Sequence, residues 1–270
     1  MNATSAAASK PKSARDKYHP VEVTDVQHHT DRVFTLRTTR PDSFRFESGE
    51  FTMLGLDDDG KVISRAYSMI NSKYDEELGF LSIKVPDGEF TSRLQHIEVG
   101  QELLIGKKPT GTLTIDAVAP GRVLYLFSTG TGVAPFLSLI QDPDLYPRYD
   151  KIVLNHTCRY KGDLVFDRWI REEMPEHPLV GEEVAQQLLY FPTVTREDYE
   201  RRGRVTEHLR TGSLQKELGL EPIDREHDRA MICGSPGMLE ELTRTLEDLG
   251  LQAGDRGVAG DYAIEKAFVG

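Results

Sequence analysis

Cysteine is scarce. Cys158 and Cys233 are the only two in 270 residues. They lie far apart in no metal-like spacing, so a disulfide framework is not expected and a reducing cytoplasm is the natural compartment. Long apolar runs are missing too. None approaches the roughly 20 residues a membrane helix requires, so no membrane span is expected. Positive charge is short, with 33 Lys and Arg against 44 Asp and Glu and a formal net charge of -11. That balance argues against non-specific nucleic-acid binding but leaves room for a local basic patch. No G-x-S-x-G occurs, which leaves a serine hydrolase without support. Eight histidines, His28 and His29 among them, show no metal-site spacing and read as strand or surface residues. Internal repeats are absent. The first 17 residues are small, polar and nearly acid-free, without the apolar core of a secretory signal, and a disordered tail is expected there.

Enough apolar sequence remains for two modest cores, and the length suits two domains. From His19 to about Asp116 the chain reads as about six short strands punctuated by Gly, Asp and Pro. This predicts an antiparallel six-stranded β-barrel over 18–118. One segment departs from the pattern: T-S-R-L-Q-H-I reads as a short helix with Thr91 or Ser92 at its N-cap. Its free N–H groups suit an anion, and a plain capped helix fits equally. Near Pro120 the style changes. Strands such as R-V-L-Y-L-F-S alternate with helical stretches: one holding Leu164, Phe166, Trp169 and Ile170, then R-V-T-E-H-L-R, then the amphipathic run after Ser235. That alternation predicts an α/β domain with a parallel sheet over 119–270.

Several stretches carry chemistry. In Arg65-Ala66-Tyr67-Ser68, within a strand-like run, Arg65 and Tyr67 share one face. A cation beside a flat ring suits a ligand with phosphate next to an aromatic system, and a half-buried strand with a surface arginine is the plainer reading. Ser128-Thr129-Gly130-Thr131-Gly132-Val133-Ala134-Pro135 joins a buried strand to a helix. Its glycines permit a tight turn and close approach of a pyrophosphate, and Pro135 suits a first helical turn. It is not G-x-G-x-x-G, and the acidic residue that holds an NAD ribose has no clear counterpart. Arg159 and Arg196 instead fall at the carboxyl ends of predicted strands, where α/β sheets bind ligands, and Arg204 opens the next helix. This basic cluster in an acidic protein points to an extra phosphate, hence NADP(H) over NAD(H); ordinary solvated arginines are the alternative. Cys233-Gly234-Ser235-Pro236 is another crevice-lining turn, with Ser235 and Pro236 placed as N-cap and N1. Cys233 suits a position near a cofactor ring or a buried structural one.

As a set, R-A-Y-S, K-V-P-D-G-E-F-T-S-R-L, S-T-G-T-G-V-A-P-F, H-T-C-R-Y, T-V-T-R-E, C-G-S-P-G-M and the ending E-K-A-F-V-G resemble the bacterial branch of the ferredoxin/flavodoxin–NADP+ reductase family. They run in the right order over residues 18–270. The resemblance implies FAD in the barrel domain and NADP(H) in the α/β domain. It places Arg65 on the FAD pyrophosphate, Tyr67 stacked on the isoalloxazine, and Ser68 by flavin N5. Ala66, Ile83, Phe90, Thr91, Ser92 and Thr131 complete the FAD side. The ending Ala267-Phe268-Val269-Gly270 returns to the flavin, with Ala267 or Phe268 covering it. Thr131, Gly132, Arg159, Thr195, Arg196, Arg204, Cys233, Gly234 and Met238 fall to NADP(H). Ser68, Cys233 and Glu265 match the positions at the hydride-transfer site. The implied activity is electron transfer between NADP(H) and ferredoxin or flavodoxin, by a monomer with no nucleic-acid partner. The same scaffold also serves reductase components of oxygenases, which commonly carry clustered cysteines, and a non-catalytic FAD-binding module would keep FAD without oxidising NADPH.

Overall fold

The computed structural model describes residues 14–254 and 258–266. The first half forms β1 (Tyr18–His28), β2 (Val33–Thr39), β3 (Phe51–Asp58), β4 (Lys61–Ser68), β5 (Glu77–Ile83) and β6 (Glu102–Gly106). They make one antiparallel sheet in the order β4-β3-β6-β1-β2-β5. Its outer strands meet where Met69 pairs with Phe80 and Ile70 N–H donates to Gly79 O at 2.9 Å, which closes the barrel. Asp59 and Gly60, both at positive φ, make the two-residue turn between β3 and β4. Asp-Gly suits that turn because its twist matches the strands it joins. Alternation then fills the barrel: Phe34, Leu36, Leu78 and Phe80 are fully buried in its core.

The second half forms β7 (Gly121–Thr129), α2 (Ala134–Ile140), β8 (Tyr149–Cys158), α3 (Gly181–Gln187), β9 (Leu188–Val194), α4 (Val205–Arg210), α5 (Ser213–Leu218), β10 (Asp228–Gly234), α6 (Pro236–Asp248) and β11 (Tyr262–Lys266), after α1 (Thr91–Leu94) in the barrel half. The five strands are parallel in the order β11-β10-β7-β8-β9. Apolar residues pack on both faces, Leu124, Leu126 and Leu154 on one and Tyr125, Phe127 and Ile232 on the other. That is why the strands read as continuous apolar runs. The chain moves outward from β7 through β8 and β9, then crosses back to β10. The carboxyl ends of β7 and β10 therefore flank the switch point where such sheets open a crevice.

The barrel is not a separate ball. Val33, Ile70, Leu81 and Leu113 belong to the same apolar cluster as Leu126, Phe136 and Leu139. Polar contacts reinforce the seam at α2. Ser138 Oγ donates to Asn71 O at 2.7 Å, and Gln141 Nε2 donates to Ile70 O at 2.8 Å. Lys73 Nζ lies 3.2 Å from each of Glu47, Asp142 and Asp144.

Four local expectations change. Residues 14–17, placed in the tail by sequence, form a 3-10 turn (Ala14–Lys17) whose Arg15 pairs with Asp57 and Glu102. The N-cap of α1 is Phe90, not Thr91 or Ser92, because Thr91 Oγ1 turns back to Val85 O at 3.3 Å. The helix expected around Leu164 to Ile170 is broken: a 3-10 turn at Lys161–Asp163 precedes a π-helical turn at Trp169–Glu173. The short α3 and α5 have no counterpart in the sequence reading.

Candidate active site between barrel and parallel sheet

The turn after β7 is set by two glycines with different tasks. Gly130 has φ +55, a conformation that favours glycine, and a Cβ there would meet nothing within 4 Å. Buried His156 donates from Nε2 to Gly130 O at 2.9 Å. Burial lowers its pKa to about 4, so the ring stays neutral and this bond persists at physiological pH. Gly132 lacks a side chain for another reason: a Cβ would sit 2.2 Å from Cys233 O. The close approach inferred from sequence is thus, at Gly132, the approach of the chain's own backbone. Gly234 is squeezed in the same way, its Cβ position lying 2.2 Å from Thr129 Oγ1 and 2.7 Å from Met238 Cε. Ser235 N–H donates to Thr129 Oγ1 at 2.9 Å, locking the two strand ends together. Ser235 and Pro236 occupy the N-cap and first position of α6, as expected, and Pro135 lies in the first turn of α2.

Around this lock, three neighbouring parallel strands bring Ser128, Cys233 and Glu265 into one row. Facing them is β4. A small cavity is lined by Ala66, Tyr67, Ser68, Ile83, Thr91, Thr131, Gly132, Cys233 and Glu265. These residues come from both halves of the chain, and the fold brings them together. Tyr67 is fixed by its hydroxyl, 2.9 Å from Ser82 Oγ, and its ring packs 5.9 Å from Phe90. Phe90 is itself buried in the barrel core, and Ser92 N–H donates to Gly88 O.

Glu265 is the unusual group. It is 7% exposed. Its Oε2 accepts from Thr112 N–H at 3.0 Å and from Thr112 Oγ1 at 3.3 Å, whereas Oε1 is buried with no partner among the described residues. Burial raises its pKa; the bonds from Thr112 oppose this and nearby Glu50 adds to it. Burial, with the charge of Glu265 beside it, likewise raises the pKa of Cys233 and keeps it a thiol.

A larger cleft of about 1060 Å³ runs from this cavity along the carboxyl ends of the parallel strands, enough for a dinucleotide-sized ligand. Thr131, Arg159, Thr195, Arg196, Arg204 and Met238 line it. Arg196 N–H donates to Arg159 O at 3.0 Å, which sets the two cations side by side. Neither forms an ion pair among the described residues. Arg204 caps α4 and reaches Glu241 at 2.8 Å, with 71% of its side chain exposed. Cations held this loosely suit an anionic ligand. Arg65 is engaged with Glu89 at 3.1 Å on the barrel rim. Ala267, Phe268, Val269 and Gly270 lie outside the described residues.

Sequence reasoning missed the residues that hold these groups: Thr112 on Glu265, Thr129 between two turns, Ser82 on Tyr67, and Glu89 on Arg65. Each is remote in sequence from its partner, and only the fold joins them.

Comparison with known proteins agrees with this division. The oxidoreductase FAD-binding domain family matches residues 20–115, and the oxidoreductase NAD-binding domain family matches residues 126–244. A ferredoxin–NADP reductase of Pseudomonas aeruginosa is 50% identical over 248 residues, covering 92% of this chain and 96% of that protein. A flavodoxin/ferredoxin–NADP reductase of Rhodobacter capsulatus is 48% identical, covering 92% of each. Among solved structures, a ferredoxin NADP+ reductase from Neisseria gonorrhoeae with bound FAD and NADP superposes with a TM-score of 0.84 at 28% identity. It covers 93% of this chain and 98% of that one. With half its residues shared over nearly the whole length of such relatives, the chain belongs to the ferredoxin/flavodoxin–NADP reductase family.

Proposed function

We propose that this protein is an FAD-dependent reductase that exchanges electrons between NADP(H) and a small ferredoxin or flavodoxin. The observation that carries the reading is the meeting of Ser68 and Tyr67 from the barrel with Thr131, Cys233 and Glu265 from the parallel sheet around one cavity. A hydride donor and its acceptor must lie face to face, and this is where the two halves of the chain face each other. Bound FAD would supply the conversion between a hydride and single electrons. The barrel, residues 18–118, is the FAD domain and residues 119–270 are the NADP(H) domain.

The donor set fits both groups. Arg65 takes the FAD pyrophosphate, exchanging Glu89 for phosphate, with the backbone at Phe90, Thr91 and Ser92 beside it. Tyr67, held by Ser82, offers a flat face to the ring; Ala66 and Ile83 line the same side, and Ser68 sits by N5. On the other side Thr131 and Gly132 admit the NADP(H) pyrophosphate, with Thr195, Gly234 and Met238 along its course. Arg159, Arg196 and Arg204 take the additional phosphate. Cys233 and Glu265 border the nicotinamide. The carrier is small and acidic and docks as a transient partner on a local basic surface; the protein works as a cytoplasmic monomer.

The test is direct. The purified protein should show flavin absorbance and bleach on anaerobic addition of NADPH. FAD retention without bleaching would make it a binding module. Arg65→Ala should lose FAD during purification, and full retention would place the pyrophosphate elsewhere.

A further inference from the structure

Besides the shared apolar cluster and the Thr112 contact to Glu265, polar contacts join the barrel to the α/β domain at two places flanking β5. The first is the buried seam at α2, where residues 70–73, just before β5, meet Ser138, Gln141 and Asp142. The second is at the rim of the large cleft, just after β5. There Arg32, from the loop between β1 and β2, reaches across to Asp163 in the turn that follows β8. The contact is bidentate: Nε donates to Oδ1 at 3.1 Å and to Oδ2 at 3.3 Å, and Nη2 donates to Oδ1 at 2.9 Å. The guanidinium carbon also lies 4.6 Å from the centre of the Tyr160 ring.

Both ends of this contact are anchored. Lys84, directly after β5, donates its backbone N–H to Arg32 O at 2.7 Å and its Nζ to Thr30 O at 2.8 Å. Asp163 N–H donates to Tyr160 O at 3.0 Å, and Asp163 O accepts from Cys158 Sγ at 3.5 Å. The strap therefore runs from the end of β5 to the end of β8. The seam residue Ile70 pairs with Gly79 and the strap is held at Lys84, a separation of five residues along β5, about 16 Å at the usual rise per residue.

We propose that Arg32, Asp163 and Tyr160 are positioning residues for hydride transfer. Among the described residues, this strap is the polar contact that joins the two domains at the open end of the cleft, away from the α2 seam and the Thr112 contact to Glu265. It resists tilting of the barrel there, holding Tyr67 and Ser68 at a fixed distance from Thr131, Cys233 and Glu265. An ion pair whose arginine is half exposed to water adds little to stability, but the planar fork of arginine on a carboxylate fixes orientation as well as distance. The inference rests on the reductase reading proposed above.

A charge exchange in the FAD-loaded protein tests it. Rapid-mixing measurements follow flavin reduction by NADPH, and titration gives the NADP+ affinity. Arg32→Ala and Asp163→Asn should each slow reduction by about tenfold, within the range a displacement near 1 Å produces, with NADP+ affinity unchanged within about twofold. The exchange Arg32→Asp with Asp163→Arg should restore the rate. Amide hydrogen exchange, measured without turnover, should quicken at 29–33 and 160–164 in each single variant and recover in the exchange. An unchanged rate and unchanged amide exchange in Arg32→Ala would overturn the strap. So would a loss of NADP+ affinity that the charge exchange fails to repair, which would make Arg32 a ligand instead. Wild type that is not bleached by NADPH refutes the reductase reading, and amide exchange then decides the strap alone.

Discussion

Removing one ammonium group at the α2 seam should destabilise the whole protein. Lys73 Nζ stands 3.2 Å from three carboxylates, but they are not equivalent. Glu47 and Asp144 keep 67% and 64% of their side chains exposed, and contacts of that kind contribute about 0–1 kcal/mol. Asp142 is completely buried. Its Oδ1 accepts from Asp144 N–H at 3.0 Å, and among the described residues Oδ2 has only its ion contact with Lys73. Deleting one member of a buried pair costs about 3–5 kcal/mol. Lys73 is 17% exposed, so water can partly replace it, and the low end, about 3 kcal/mol, applies to Lys73→Met. At about 2–4 °C per kcal/mol for a chain of this size, the melting temperature should fall by roughly 6–12 °C. Lys73→Met combined with Asp142→Asn should recover most of the loss, because the stranded charge is gone. Burial works against the Lys73 charge, but the bonds and charges of Asp142, Asp144 and Glu47 outweigh it and raise its pKa above the ordinary 10.5. Its stabilising contribution is therefore fully present below pH 10.5 and is lost only as pH rises beyond. The gap between wild type and variant should be flat across neutral pH. Chemical denaturation near pH 7 is the assay, and a loss under about 1 kcal/mol would mean that water already solvates Asp142.

Other perturbations follow from the same geometry. Gly132→Ala drives a methyl into Cys233 O. It should cost about 3 kcal/mol or more, as overpacking against backbone does, and weaken NADP+ binding; a wild-type melting curve would contradict this. Arg196→Ala and Arg204→Ala should each lower the preference for NADPH over NADH by about tenfold, the worth of one charge-assisted hydrogen bond, read as the ratio of kcat/KM values. Equal losses with both nucleotides would remove these arginines from phosphate recognition. Glu265→Gln keeps an acceptor for Thr112 and removes a charge that burial disfavours. Because the folded-state pKa of Glu265 is raised, wild type loses stability as pH rises above the ordinary 4.5, and the variant does not. The variant should match wild type near pH 4 and exceed it at pH 8. A gap independent of pH would refute the assignment.

Much of this was legible in the chain. Period-two alternation and the Asp59-Gly60 turn mark the barrel, and continuous apolar runs mark a sheet covered on both faces. Arg159 and Arg196 could be placed because a strand end is local information. What stayed hidden depends on closure. Thr112 and Glu265 are 153 residues apart, and Arg32 and Asp163 are 131 apart. No periodicity links such pairs. The N-cap of α1 was misread for a related reason: Thr91 fits a cap by type, and the bend at Val85–Gly88 draws its hydroxyl away. The α3 and α5 helices open at Val180 and Gly212, which lack the Ser-Pro start that marks α6.

The strand that carries Glu265 has a consequence for synthesis. β11 follows every other described strand in the chain and pairs with β10 at the sheet edge, with a single bridge from Tyr262 to Ala253 besides. The last barrel strand ends at Gly106, so about 160 further residues must be translated before Glu265 exists. At about 5–20 residues per second that is roughly 8–30 s. During this interval the nascent chain already contains all six barrel strands, Tyr67 and Ser68 among them, but not the carboxyl that faces them. One wall of the pocket is thus made well before the strand that completes it.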